Sequence, residues 1–369
     1  KRQVQCVSAL PLTPFQSSAA PLTHRDQGTN DSMDSDLDRM TSRSGWLAIV
    51  PGRVIPSVDI GLHYFEGDDD AMVESLRITE IQTRGPYEFV ELKNVGSEPI
   101  SLKGVRFING VSFDFTYGSV AGVFPGEYVV VVENEEAFAT RYGTMDLLIA
   151  GQYRGNLQNS ERIELVAPIN ETILDFSYDR DWYPVTREDF SLYVVDELQP
   201  RRSWEDGHAW RPSTYVGGSP GADDPRLMPE PGSVVISEVM TRAADDGTDW
   251  IELYNATDQE MDIGGWFLGD DTGSRPALQR YRIADGTVIG AGEYLVFTGD
   301  DHFRNPDDPG SQETFGLSSY GESLHLTAGD PQGHLLGYSE QVSFGGALQD
   351  RSFGRHELSA QVSRRHFAE

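Results

Sequence analysis

The chain contains one short phrase twice, FVELKN at 89–94 and WIELYN at 250–255, and the recurrence around it keeps register. Glu91, Leu92, Asn94, Gly104, Glu161 and Leu165 stand 161 residues before Glu252, Leu253, Asn255, Gly265, Glu322 and Leu326. Ile78 and Glu80 stand 158 before Ile236 and Glu238, and Gly126, Glu127 and Tyr128 stand 166 before Gly292, Glu293 and Tyr294. Offsets that change only inside turn-rich stretches are what insertions between equivalent strands produce. The duplication constrains everything else, because the second copy must fold as the first does. With 369 residues there is chain enough for each copy to bury its own core.

The repeated words are β words. From residue 74 onward, β-branched and aromatic runs such as LRITEI, EYVVVVEN, VVISEVM and EYLVFTG are broken by Gly, Pro, Asn and Asp, and long amphipathic helical periods are absent. In WIELYN the two-residue period puts Ile251 and Leu253 on one face, and Trp250, Glu252 and Tyr254 on the other. Val90 and Leu92 stand against Phe89 and Glu91 in the same way. Burying each aliphatic side chain contributes about 1.5–3 kcal/mol, which explains the recurrence without chemistry. The glutamates are then expected on the outward face, and the asparagine at a strand exit, where its short amide bonds nearby backbone.

Residues 1–73 are rich in Pro, Ser, Thr and Asp and read as irregular, with only WLAIV (46–50) and IGLHYF (60–65) suited to strands. GGSPGADDPRLMPEPGS at 217–233 reads as a stiff polar linker. The expected division is an irregular segment 1–73, a first domain 74–225, a linker 226–233 and a second domain 234–369. Separate cores and cleavage near 221–233 follow from it. After SFGRH (352–356) only ELSAQVSRRHFAE is left, so the second domain is expected to be cut short and to lack a well-held last strand. The start at Lys1 reads as a fragment without its export signal.

The formal net charge is −30, from 59 acidic against 29 basic residues, and without basic clusters it argues against nucleic acid as a partner. Apolar runs are strand-sized, far short of the ~18–20 residues of a membrane helix, so membrane insertion is not expected. A lone cysteine, Cys6, forms neither an intrachain disulfide nor a thiolate zinc site.

Four patterns invite a chemical reading. Glu80 with Glu91, and Glu238 with Glu252, could pair as glycosidase carboxylates, although outward glutamates on half-buried strands need no such role. GGSPG at 217–221 matches the Gly-x-Ser-x-Gly pattern around Ser219, but Pro220 lacks the N–H that an oxyanion hole takes from that position. Acidic pairs in loops, Asp245 with Asp246 and Asp270 with Asp271, are the calcium candidates. Trp182, Trp204 and Trp210, in the longer tail of the first copy, are the candidates for stacking on a ligand such as a sugar.

ISEVM with DWIELYN, then DIGGWFLGDD, GEYLVF, FGLSSYGESLHL and SFGRH in the second copy resemble the lamin-tail domain. ITEI, YEFVELKN, ISLKGVRF, VFPGEYVVVV, NSERIEL and the closing WRPSTYVGGSPGADDP in the first copy do so less closely, and the resemblance makes GGSPG a closing turn of that domain. The resemblance implies an all-β chain with two tandem immunoglobulin-like β-sandwiches, and it brings no catalytic residue or cofactor. It is nearest to the bacterial version found in large exported multidomain proteins, some of which also carry a kinase-like domain related to spore-coat protein H. The expected function is a non-catalytic spacer or adhesion-type module, extracellular or at a bacterial cell surface, with a protein or carbohydrate partner. The rival expectation is an accessory carbohydrate- or substrate-binding part of an enzyme whose catalytic domain lies elsewhere.

Overall fold

The computed structural model describes residues 37–38, 43–44, 69–244, 247–272, 275–356 and 366–368. WLAIV and IGLHYF lie outside them. Two short strands, β1 (Leu37–Asp38) and β2 (Arg43–Ser44), pair with each other ahead of the first core.

That core begins earlier than the texture of the sequence suggests. The acidic run leads into helix α1 (Asp69–Ser75), whose Met72 and Val73 are buried in the first core, so a boundary at 73/74 falls inside a packed element. Arg77 closes the helix by donating to the carbonyls of Val73, Glu74 and Leu76 at 2.8–3.0 Å.

The first half then runs β3 (Leu76–Gln82), β4 (Phe89–Asn94), β5 (Ile100–Ser101), β6 (Arg106–Asn109), β7 (Phe113–Asp114), β8 (Gly122–Val123) and β9 (Tyr128–Val132). Helix α2 (Glu135–Tyr142) precedes β10 (Ile149–Gln152), β11 (Ser160–Val166), β12 (Thr172–Asp179), β13 (Leu192–Val194) and β14 (Trp210–Pro212). One sheet has the order β10-β9-β4-β3-β13-β14, the other β12-β11-β6-β7, and β5 pairs with β8.

The second half repeats this. Its strands are β15 (Val234–Met240), β16 (Trp250–Asn255), β17 (Met261–Asp262), β18 (Phe267–Thr272), β19 (Arg275–Arg282), β20 (Val288–Ile289), β21 (Tyr294–Thr298), β22 (Glu322–Gly329), β23 (Leu335–Phe344), β24 (Ser352–His356) and β25 (His366–Ala368). They make sheets β21-β16-β15-β24-β25 and β19-β18-β22-β23 and the pair β17-β20. Strand for strand the order is that of the first half, with β10 as the extra edge. The last strand corrects the expectation of a bare edge, since β25 pairs antiparallel with β24.

The repeated asparagine does the same work twice. Asn94 Nδ2 donates to Glu98 O at 2.8 Å and Val123 O at 3.1 Å, while its Oδ1 accepts from Gly96 N at 2.9 Å. Asn255 Nδ2 donates to Gln259 O at 2.7 Å and Ile289 O at 3.0 Å, and its Oδ1 accepts from Thr257 N at 3.0 Å. Each amide pins the turn after the strand to the next hairpin, which satisfies buried carbonyls that water cannot reach.

Two large apolar clusters fill the halves, one spanning Met72 to Trp210 and one Val234 to Phe353. They are not independent bodies, because Val185 and Phe190 of the first half form a further cluster with Leu278 and Leu335 of the second. The receiving surface is the outer face of β22 and β23, where Thr327 and Ser339, opposite each other in register, are both buried. Gly337 N donates to Thr214 O at 3.3 Å, and any Cβ on Gly337 would collide with Ser213 O. The halves are therefore docked. Residues 225–227, between them, are exposed, so trypsin is expected to cut at Arg226 and leave two fragments that still co-elute on size exclusion. Gly337→Val should make them elute separately while each keeps its strand signal by circular dichroism. Separate elution of the wild-type fragments would show that the docking is too weak to matter.

Candidate functional site

The two glutamates of the repeated words are cross-strand neighbours in both halves. Glu80 of β3 opposes Glu91 of β4, and Glu238 of β15 opposes Glu252 of β16, each just past a register shift at the preceding residue. Such a bulge turns a side chain that strict alternation would place elsewhere. Thr79, at the shift in the first half, donates through Oγ1 to Glu91 Oε1 at 2.7 Å, and Ser237, its equivalent, donates to Glu252 Oε1 at 2.8 Å. A second hydroxyl comes from the neighbouring strand region, Ser191 to Glu80 Oε1 and Ser352 to Glu238 Oε1. The two sites share one design.

They differ in what lies on top. Glu80 and Glu91 are fully buried, contrary to the expectation that they point into water. Residues 217–221 cross over them as a strap whose amides face the carboxyls: Ser219 N donates to both Glu80 oxygens at 3.0 and 3.2 Å, and Gly221 N donates to Glu91 Oε2 at 2.6 Å. Gly218 (φ +85°) must be glycine, since a Cβ there would run into Glu80 Oε1.

The next turn of the strap is bolted down as well. Asp224 is buried and accepts from Arg211 Nη1 at 2.7 Å, Thr214 N at 2.7 Å and Thr214 Oγ1 at 2.6 Å. Lys93 bonds Glu197 at 2.8 Å and Asp223 at 3.0 Å, and the Tyr128 hydroxyl also reaches Asp223. The Pro/Gly/Asp stretch read as linker is thus, up to residue 224, a structural lid. The rest of that sheet face is covered by α2, whose Phe138 packs edge-on to Phe89 at 5.7 Å between ring centres. This accounts for the unbroken YVVVV run: Val129 and Val131 face the main core while Val130 and Val132 face the helix.

In the second half the same face is open. Glu238 and Glu252 are half-buried, Tyr294 is 59% exposed and Val296 is 42% exposed. Tyr254 and Tyr294 stack at 4.6 Å and 29°, at the positions that Lys93 and Tyr128 hold in the first half. Among the described residues no backbone N–H reaches either carboxyl.

The other candidate residues separate. Trp204 and Trp210 are not stacking platforms: both rings are fully buried, with Trp204 Nε1 donating to Ile78 O at 3.0 Å and Trp210 Nε1 to Trp204 O at 2.9 Å. Large apolar rings whose single donor is satisfied internally belong to the core. Trp182 is half-buried against that core beside Gly207. Asp245 and Asp246 lie outside the described residues. Asp270 and Asp271 do not converge on a point where a cation could sit, because adjacent strand residues face opposite ways. Asp270 pairs with Arg280 and Asp271 with His325 Nε2 at 2.8 Å. Ser219 serves through its amide, while its hydroxyl is buried and makes no hydrogen bond. Asn255, in an N-x-Thr sequon, is wholly buried.

Residues 228–335 match the family model of the Lamin Tail Domain. The chain contains a lamin tail domain. The matched domain is an immunoglobulin-like, non-catalytic β-sandwich, in keeping with the second-half sheets described above. No curated protein matches the chain. No helix among the described residues is long and apolar enough to cross a membrane.

Burial pushes the Glu80 carboxyl up to about 8 against an ordinary value of 4.5, with the Ser191 and Ser219 hydrogen bonds opposing. Glu91 also lies well above that value, through burial and then the neighbouring Glu80 charge. The folded first half therefore holds protons that the unfolded chain has released, and its stability falls as pH rises from about 4.5 toward 8, by about 1.4 kcal/mol per pH unit for each proton held. Thermal melts should show a midpoint higher at pH 5.5 than at pH 8, and Glu91→Gln should flatten that slope. An equal slope in wild type and variant would mean that the pair does not set it.

Proposed function

We propose that both halves are lamin tail domains and that the docked pair is a non-catalytic spacer and interaction module of a larger bacterial protein, at the cell surface or outside the cell. The observation that carries this reading is the fate of Glu80 and Glu91. In the first half, the carboxyl pair that could have served acid and base chemistry is sealed from water and engaged by two hydroxyls and two backbone amides. A glycosidase pair needs a cleft that admits the sugar between its acids. Support for treating the halves alike comes from their common strand order, the asparagine clamp and the shared hydroxyl–carboxyl arrangement. The bacterial, exported setting rests on the resemblance of the repeated words to that branch of the family.

The partner proposed is protein rather than carbohydrate, because Trp204 and Trp210 are consumed by the core. Open aromatic area remains at Tyr254 and Tyr294, beside carboxylates and backbone rather than around a sugar-shaped cleft. A glycan array probed with the purified chain is the discriminating experiment. The expected outcome is retention no greater than background across the array. Saturable retention of one glycan class, lost in Trp182→Ala or Tyr294→Ala, would replace the protein-binding reading with a carbohydrate-binding one.

A further inference from the structure

The face on which the two halves dock buries a histidine. His325 of β22 is 1% exposed, two residues before Thr327 on its own strand and across from Gln341 of β23. Its neighbours Leu324 and Leu326 point the other way, into the second core, so the imidazole is covered from the first half, where Arg187 is the charge that acts on it. Its Nε2 meets Asp271 Oδ1 of β18 at 2.8 Å and carries the proton of the neutral ring. Nδ1 is buried without a hydrogen bond, and the buried hydroxyls of Thr327 and Ser339 on the same strip make none either.

We propose that His325 makes the docking of the halves acid-sensitive: on taking up a second proton it releases the first half from the β22–β23 face. The geometry gives the sign. An imidazolium donates from both nitrogens, and in the docked pair the added Nδ1–H has no acceptor, so docking would bury a charge with an unpaired donor. The surrounding charges do not offset this. From the second half Asp271 faces the ring, whereas Asp270 points the other way and is held by Arg280, and the Glu322 carboxyl accepts from Ser318 N at 2.6 Å, also on the opposite face. From the first half the facing group is Arg187 of the 184–188 turn, a charge of the same sign as an imidazolium, paired with Asp181 at 2.7 Å; Glu188 of that turn is exposed.

Burial accordingly lowers the pKa of the docked ring, with the Asp271 hydrogen bond opposing. Undocked, the ring keeps Asp271 at Nε2 and gains water at Nδ1, so it binds a proton more readily. Docking is therefore at full strength above the ordinary imidazole value of 6.5 and weakens as pH falls below it. What acid uncovers is apolar, with Leu278 and Leu335 on one side and Val185 and Phe190 on the other.

The test is native-state hydrogen exchange of the intact chain, read at the Gly337 amide, which bonds Thr214 O across the docking surface. Corrected for intrinsic exchange rates, protection at Gly337 should fall about tenfold between pH 7.5 and pH 5, with no such fall at Ile251 and Leu253 inside the second core. His325→Gln, which has no proton to gain, should remove the fall. A second measurement leaves the histidine in place: by NMR the His325 ring should titrate at lower pH in the wild-type chain than in Gly337→Val, whose halves are expected to separate. Protection at Gly337 that stays constant or rises on acidification would overturn the proposal. So would an undiminished fall in His325→Gln, or equal titration of His325 in the wild-type and Gly337→Val chains.

Discussion

Two carboxyl groups placed side by side on adjacent strands set the terms for the first half of this protein. Left in water they would be an ordinary solvated pair. Sealed beneath residues 217–221 they must be held partly protonated and fully hydrogen-bonded, since a bare buried carboxylate is among the costliest groups a fold can contain. The lid exists to supply those bonds, and its geometry follows from that duty: amides at Ser219 and Gly221, glycine at 218, and Asp224 locked to Arg211 to hold the far end. With the lid fixed, only 225–233 remain to carry the chain into the second half. A connection that short favours docking, because it confines the partner surfaces to each other's neighbourhood.

The docking surface shows how sequence small enough to look featureless can be structural. Gly337, Thr327 and Ser339 make a flat, low-relief strip on the outer face of β22 and β23, against which the 184–190 turn and the Ser213 backbone approach closely. His325 lies on the same face, its pKa lowered by burial, with Asp271 opposing that shift through a hydrogen bond. Nothing in the composition marks such a strip, because Gly, Thr and Ser in a strand read equally well as a solvated face.

What the sequence revealed was whatever repeats. The matched offsets identified the equivalent strands and the turn glycine before the EY strands, and the family resemblance supplied the sandwich. The role of Asn94 and Asn255 as strand-exit residues was legible from their chemistry, although the specific carbonyls they hold were not. The outward glutamates were misread, because alternation cannot register a bulge at Thr79 or a lid arriving from residue 219. The tryptophans misled for a related reason: Trp204 and Trp210 lie in an irregular stretch, where no periodicity tells core from surface. The hydroxyl partners carried a usable signal. Ser191 and Ser352 stand 161 residues apart, the offset of the surrounding words, as do the pairs Leu192 with Phe353 and Tyr193 with Gly354. A repeat comparison extended to polar residues would have brought them to the carboxyls.

The central claim is that residues 217–221 are a fixed lid on a buried carboxyl pair and not a linker. Native-state hydrogen exchange at the Ser219 and Gly221 amides measures this directly. If the lid is fixed, both exchange as slowly as the β4 amides of Phe89–Asn94, and much faster once Glu80 and Glu91 are both replaced by alanine. Exchange of Ser219 and Gly221 in the wild-type chain as rapid as that of exposed Arg226 and Leu227 would contradict the account.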